Sequence, residues 1–246
     1  MESYILISAF FIIALVYSSV GFGGGSSYLA LLAQPFFLLL PETIKPVGLL
    51  CNIVVVTGGT IIFYRKGELI WKEIWPFLVV SVPAAFVGGY WRLKESTFFI
   101  LLGVTLVVAS VFLWIKPKAI VSKELSLVVK SGLGGGIGLL SGLVSIGGGI
   151  FLAPILHFLK WSTPKRISAL ASAFILVNSI SGLIGYFSAG GRAVDWRFAL
   201  PLLVAVFAGG QIGSRLGSQV FNALYIRRIT AVVILIAAVN ILRDHL

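Results

Sequence analysis

The stretches GFGGGSSYLALL at residues 21–32 and SIGGGIFLAPIL at residues 145–156 decide how this chain is organised. Each places three consecutive glycines before an apolar run, one in each half of the chain. Glycine lacks the side chain that supports a helix and costs about 1 kcal/mol relative to alanine in a helix interior. We therefore expect the helical path to break at both stretches, and to resume immediately after them.

The composition identifies the class of protein. Hydrophobic residues make up 59% of the 246 residues and charged residues 11%, against about 45–50% and about 25% in globular domains. The stretch between Glu2 and Glu42 holds no Asp, Glu, Lys or Arg, and it is nearly twice the about 20 residues that one crossing of the hydrocarbon needs. The apolar runs of the sequence carry apolar residues on every side, whereas barrel strands alternate apolar and polar residues. This pattern favours membrane helices over barrel strands. The sequence predicts an all-α integral membrane protein.

Glycines, prolines and charged residues divide the apolar runs into about ten transmembrane segments. Pro41 and Pro46 frame a predicted loop that holds Glu42 and Lys45, so the third segment is expected to begin at Pro46. The predicted segments are 3–22, 25–40, 46–64, 74–91, 97–115, 125–146, 147–159, 164–189, 196–217 and 224–242.

The second half of the chain repeats the first. Aligning the glycine triplets also aligns TIKP (43–46) with TPKR (163–166), and WKEIWP (71–76) with WRFALP (196–201), and brings Gly88 near Gly213. We predict two five-segment units at 1–115 and 125–246, joined by a polar connector at 116–124. A unit with an odd number of crossings inserts its second copy upside down, which gives the inverted repeats of secondary transporters.

The distribution of basic residues tests this topology. With ten crossings, 13 of the 19 basic residues fall on one side, which the positive-inside rule makes cytoplasmic; both termini are then extracytoplasmic. The 13 are Arg65, Lys66, Lys72, Lys116, Lys118, Lys123, Lys130, Lys160, Lys165, Arg166, Arg215, Arg227 and Arg228. Leaving out segments 2 and 7 as crossings removes the bias. Segments 6 and 7 share too few uncharged residues for two full crossings, so re-entrant hairpins with the glycines at their tips remain an alternative.

The two breaks mark the candidate site. Unwound backbone at membrane depth is tolerated only where it lines a cavity or is buried in protein, and paired breaks in two repeats point to a central binding site. A helix that starts there directs free N–H groups and a positive dipole end into the site, which favours an anion. The predicted substrate-binding residues are Gly23, Gly24, Gly25, Ser26, Asn52, Ser145, Gly147, Gly148, Gly149, Ser172, Asn178 and Gln211. Packing of helices by small and polar residues is the alternative role for each hydroxyl or amide.

Several functions are disfavoured by what the sequence lacks. All eight acidic residues fall in predicted loops, at segment ends or at the termini, whereas cation pumps usually carry a carboxylate inside the membrane. Cys51 is the only cysteine and the two histidines are far apart, so we predict no metal site and no enzyme activity. The excess of basic residues fits lipid headgroups and loop orientation, and no nucleic-acid partner is expected.

The paired glycine motifs, the midpoint connector, the matched Trp and Pro segments and the length together resemble the TauE/SafE family of sulfite and organosulfonate exporters. The resemblance covers nearly the whole chain. It implies a bacterial inner-membrane permease for anions such as sulfite, sulfoacetate or related sulfonates, without a bound cofactor. The family motif falls on Gly23–Gly25 and Gly147–Gly149, with Asn52 and Asn178 in the following polar spans.

We therefore expect a secondary transporter of a small sulfur-containing anion that works by alternating access, with protons as one choice of coupling ion. A passive anion channel, a membrane-embedded enzyme and a scaffold protein are the alternatives. The sequence does not determine the direction of transport, the coupling ion, the exact substrate or the oligomeric state. A homo-oligomer is one possible arrangement.

Overall fold

The computed structural model describes residues 2–19, 23–114, 124–216 and 223–246. In these residues the chain forms ten α-helices and one short 3₁₀ turn, and no strand. The helices are α1 (Glu2–Ser19), α2 (Gly25–Leu32), α3 (Pro41–Arg65), α4 (Trp71–Tyr90), α5 (Glu95–Trp114), α6 (Leu127–Val144), α7 (Gly149–Phe158), α8 (Pro164–Ser188), α9 (Trp196–Leu216) and α10 (Ala223–His245). The 3₁₀ turn is Pro35–Phe37. The predicted all-helical class is confirmed.

The outside of the helix bundle is apolar. Six helices, α3, α4, α5, α6, α8 and α9, are long and apolar enough to cross a membrane. Large apolar side chains such as Val104, Ile184 and Phe207 are exposed on their outer faces, where a water-soluble protein carries polar residues. The bundle therefore suits a lipid environment, as expected of a multi-pass membrane protein.

Helices α2 and α7 are shorter than the predicted segments 2 and 7. Their 8 and 10 residues span about 12 and 15 Å at 1.5 Å per residue, half or less of the about 30 Å hydrocarbon. Segment 2 ends early because the chain turns at Ala33 and enters the 3₁₀ turn, which begins with Pro35. Each of these two helices covers about half of a crossing.

Helix α3 corrects the predicted loop at residues 41–46. The helix begins at Pro41, a position that suits proline, and continues through Pro46. Pro46 has no N–H to donate to the Glu42 carbonyl, and this carbonyl accepts a hydrogen bond from the Tyr186 hydroxyl instead. Lys45 therefore lies inside the helix and is only 6% exposed. Of the predicted connector at 116–124, residues 116–123 lie outside the described part of the chain.

Helix packing follows one pattern in both halves. Helix α4 packs along α6, and α9 packs along α1. Gly88 of α4 lies against the backbone of Leu139 in α6, and Gly213 of α9 lies against the backbone of Leu15 in α1. Small residues at these crossings let two helix backbones approach closely, as is common in membrane bundles. Gly88 and Gly213, which the sequence placed near each other in the repeat, thus have matching surroundings.

The directions of corresponding helices are opposite. In the α3–α8 pair, Thr60, nearer the end of α3, bonds Ser172, which lies earlier in α8. Asn52 lies nearer the start of α3, beside Gly147. Ser179, which lies later in α8, is also beside Gly147. In the α5–α10 pair, Phe99 stacks on His245 and Trp114 lies near Arg228. Each pair is therefore antiparallel.

Candidate functional site

Both glycine triplets interrupt the helical path, as predicted. Gly24 is the N-cap of α2 with φ 74°, and Gly148 is the N-cap of α7 with φ 81°. Gly147 has φ 85° as well. Residues with a β-carbon rarely adopt this left-handed backbone, so glycine is required at these positions. Ser145, with φ 63°, also adopts it, at the end of α6.

The two caps leave the same N–H groups free. The amides of Ser27 and Tyr28 donate to the Gly24 carbonyl, and those of Phe151 and Leu152 donate to the Gly148 carbonyl, at 3.0–3.1 Å. The first two N–H groups of α2 and of α7 have no acceptor within their own helix. Each break therefore presents helix-start donors and a positive dipole end.

Asn52 of α3 lies between the two breaks. Its Nδ2 donates to the Ser145 carbonyl at 3.4 Å, immediately before the second triplet. A β-carbon on Gly25 would overlap the Asn52 amide, and one on Gly147 would lie 3.0 Å from Asn52 Nδ2. The absence of side chains at Gly25 and Gly147 makes room for the amide. One fully buried side chain thus connects two breaks that are distant in sequence.

Polar atoms around Asn52 are buried without a protein partner. Asn52 Oδ1, Ser145 Oγ and Ser179 Oγ form no hydrogen bond with the described residues, and all three side chains are 0% exposed. Ser179 Oγ would lie 3.3 Å from a β-carbon on Gly147, which places it beside the second break. Leaving such groups unsatisfied costs about 1–3 kcal/mol each. The Ser145 and Ser179 hydroxyls can donate and Asn52 Oδ1 can only accept, so the arrangement suits a polar ligand that both accepts and donates hydrogen bonds. We call Gly25, Asn52, Ser145, Gly147 and Ser179 the central cluster.

The remaining predicted site residues lie in three other places. Ser26 is buried beside the Tyr17 hydroxyl, which is 2.5 Å from Ser27 Oγ. Asn178 donates to the Phe174 carbonyl of its own helix, and its Oδ1 is buried without a partner.

Ser172 and Gln211 lie farther toward the Arg65 end of α3. Ser172 Oγ is 2.8 Å from Thr60 Oγ1 and donates to the Val56 carbonyl. The Gln211 amide packs over Gly58. Ser172 lies at the α3–α8 interface and Gln211 at the α3–α9 interface, and neither is among the nearest neighbours of the glycine triplets.

Some of the central cluster could be found from sequence and some could not. The glycines and Asn52 stand out as breaks and as a polar residue in an apolar span. Ser179 gives no local signal that separates it from other serines in the spans, and only the packing of α8 against Gly147 selects it. Among the described residues no group of three His, Cys, Asp or Glu side chains is placed to hold a metal ion.

Comparison with known proteins connects this arrangement with membrane transport. The family model described as "Sulfite exporter TauE/SafE" matches residues 6–241. The chain is 34% identical to "Probable membrane transporter protein y4hK" of Sinorhizobium fredii, over 98% of each chain. It is 23% identical to "Probable membrane transporter protein YunE" of Bacillus subtilis, over 96% of each. No solved structure matches the chain.

Proposed function

Because the chain belongs to the TauE/SafE family of sulfite exporters, we propose that it is a secondary transporter of small sulfur-containing anions such as sulfite, sulfoacetate or similar sulfonates. The observation that carries the proposal is the central cluster, where two helix starts meet around buried, unpartnered polar atoms. Helix-start N–H groups and hydroxyls are donors that suit an oxyanion. The description of the family supports sulfur-containing anions as the substrate class.

The proposed mechanism is alternating access by two inverted halves, α1–α5 and α6–α10. The antiparallel α3–α8 and α5–α10 pairs and the matched Gly88 and Gly213 crossings support this assignment. Half-length helices that meet near a central site are typical of transporters built from inverted repeats. Rocking of one half against the other would open the central cluster to each side in turn.

The proposed location is the bacterial inner membrane, with both termini extracytoplasmic. The uneven distribution of basic residues supports the orientation. This orientation requires that α2 and α7 count as crossings, because leaving them out removes the bias of the basic residues. Cysteine labelling at position 67, expected in the cytoplasm, and at position 94, expected outside, tests the orientation in a Cys51→Ala background.

The transport test uses proteoliposomes loaded with sulfite under oxygen-free conditions. We expect saturable uptake of labelled sulfite and acceleration by unlabelled sulfite on the opposite side, since a carrier exchanges its substrate. Flux that does not saturate and shows no counterflow would identify a passive channel instead. Repeating the assay with a pH gradient tests coupling to protons, which would appear as a gradient-dependent change in the rate.

Asn52→Leu tests the central cluster itself. The substitution removes a polar group that holds the two breaks in register, and we expect a loss of transport of about 10-fold to 100-fold, as for a hydrogen bond to a charged group. Thermal stability should change little, because the Asn52–Ser145 bond is long and the lost Oδ1 had no partner. Asn240→Leu, on the exposed side of α10, is the matched control and should keep transport. Full transport by Asn52→Leu would remove the cluster from the mechanism.

A further inference from the structure

A second polar cavity lies at the end of the bundle where α3 begins and α8 ends. It has a volume of about 230 Å³ and is partly open to the outside. Lys45, Arg92 and Arg192 line it, with Glu42 as the one acidic residue and Tyr186 on one wall. We call it the basic vestibule. Three cations face one carboxylate, so the cavity carries a net positive charge.

Lys45 lies at the buried part of the basic vestibule. Its side chain is covered although it is charged, and among the described residues it forms no ion pair. Its Nζ lies 6.0 Å from the centre of the Tyr186 ring, a weak cation–π distance. Glu42, its nearest acidic neighbour in sequence, is exposed. A buried cation without a close anion is costly unless something else pairs with it.

The other groups of the basic vestibule are held by the protein. Arg92 donates from Nη2 to the Ala189 carbonyl at the end of α8. The Tyr186 hydroxyl donates to the Glu42 carbonyl at 2.9 Å and contacts the Arg192 carbonyl. These bonds fix the Arg92 and Tyr186 walls. The Lys45 ammonium and the Arg192 guanidinium line the cavity without a hydrogen-bonded partner among the described residues, and Lys45 is the buried one of the two. Two further guanidinium groups at the rim can hold a planar or tetrahedral anion from the open side.

We infer that the basic vestibule binds a small oxyanion, separately from the central cluster, with Lys45 as the main charge partner. The inference rests on the proposed function in one respect, namely that the bound anion is the transported substrate. A positively charged entrance raises the local concentration of an anion and speeds its capture. The same oxyanion chemistry is present in a free sulfur anion and in a phospholipid headgroup, and the experiment separates these sources.

The experiment measures binding of sulfite and of inorganic phosphate to the full chain in nanodiscs by isothermal titration. In an Asn52→Leu background, which weakens binding at the central cluster, Lys45→Met should raise the sulfite Kd about tenfold or more in neutral phosphatidylcholine. Lys165→Met, at the exposed start of α8, is the matched control and should leave the Kd unchanged. Lys45→Arg keeps the charge and should keep most of the binding; a melting temperature without anion identifies any variant that fails to fold. An unchanged Kd in a folded Lys45→Met protein would overturn the inference.

Lipid composition distinguishes the source of the oxyanion. If the site takes free anions, wild-type sulfite binding should be similar in phosphatidylcholine and phosphatidylglycerol nanodiscs. If it takes a headgroup, phosphatidylglycerol should stabilise the wild type and not Lys45→Met, and should compete with sulfite. Stabilisation of both proteins alike by phosphatidylglycerol, without competition, would count against a headgroup at Lys45.

The outcomes also separate this inference from the proposed function. Normal binding by Lys45→Met together with lost transport by Asn52→Leu refutes the basic vestibule alone. Wild-type protein that neither binds nor transports any sulfur anion refutes the proposed substrate class. Phosphate binding that depends on Lys45 would then still support an oxyanion site in the basic vestibule.

Discussion

The two glycine breaks share a backbone and differ in the side chains around them. Gly24 and Gly148 cap their helices with the same left-handed geometry and the same pair of hydrogen bonds. Beside the first break, a β-carbon on Gly25 would meet the Asn52 amide; beside the second, one on Gly149 would meet the Ile175 side chain. The similar backbone geometry thus supplies two helix starts, while the Asn52 amide makes a polar wall and Ile175 an apolar one.

A second difference places the apolar side chain at the first break and the polar side chain at the second. A β-carbon on Gly23 would approach Val56, and a β-carbon on Gly147 would approach Ser179. Asn52 and Ser179 therefore face the same space from α3 and α8, and their counterparts in the repeat are apolar. The two breaks therefore share a backbone geometry, whereas the polar side chains around them come from different positions in α3 and α8. A symmetric site would need Asn and Ser in both halves.

The largest expected effect is a difference in stability and transport between the Gly25→Ala and Gly149→Ala variants. In Gly25→Ala, the methyl group would overlap the Asn52 amide and lie 2.6 Å from the Ile146 carbonyl oxygen, which cannot move independently. We expect a loss of about 3 kcal/mol in unfolding free energy and loss of transport. In Gly149→Ala, the methyl meets the movable end of Ile175, and the cost should be nearer 1 kcal/mol. Denaturant titration in detergent and counterflow measure both; equal effects would contradict the asymmetry.

The next effect should be equal in the two halves. Gly88→Ala would press on the Leu139 backbone, and Gly213→Ala on the Leu15 backbone, so each should destabilise by about 2 kcal/mol. Gly136→Ala in α6 is the control, since open space surrounds it, and alanine there should stabilise by up to about 1 kcal/mol. A large difference between Gly88→Ala and Gly213→Ala would argue against corresponding helix crossings.

The helix caps should show a smaller difference. Alanine at Gly24 or Gly148 must adopt a left-handed backbone, at a cost of about 1–2 kcal/mol. At Gly148 the methyl would also lie 2.8 Å from the Phe174 ring, against 3.1 Å from Tyr28 at Gly24, so Gly148→Ala should be the more destabilising.

The control for the helix caps is Gly67→Ala, which isolates backbone strain because φ is 69° and no atom lies within 4 Å. Thermal unfolding of the three variants gives the comparison. A cost at Gly24 no larger than at Gly67 would show that the ring contact adds nothing there.

The smallest expected effect is in substrate affinity. Ser179→Val makes the second half resemble the first, which has Val56 at the corresponding place. Loss of one hydroxyl partner should raise the Kd for sulfite about fivefold, equivalent to about 1 kcal/mol, without lowering stability, because Ser179 Oγ has no protein partner to lose. Ser110→Val, at a buried serine of α5 that bonds only within its own helix, is the matched control and should bind normally. An unchanged Kd in Ser179→Val would place the anion elsewhere.

Local sequence predicted most helices and both interruptions. The apolar runs and the Trp and Pro repeats placed α4, α5, α8 and α9 close to their observed bounds. The start of α3 was predicted five residues late because Pro46 was interpreted as a boundary, whereas this helix accommodates proline after its first turn. The length of α2 was overestimated because an apolar run does not reveal where a chain turns within the membrane.

The membrane class, the order of the helices and the two glycine breaks follow from the amino-acid sequence, because composition and backbone preference act through neighbouring residues. Only the tertiary structure decided that Asn52 and Ser179 face one space, and that Lys45 is buried in a helix instead of exposed in a loop. Those outcomes depend on which helix faces pack together across more than ninety residues of chain. Helix packing, unlike helix formation, is set by contacts between segments that no local pattern specifies.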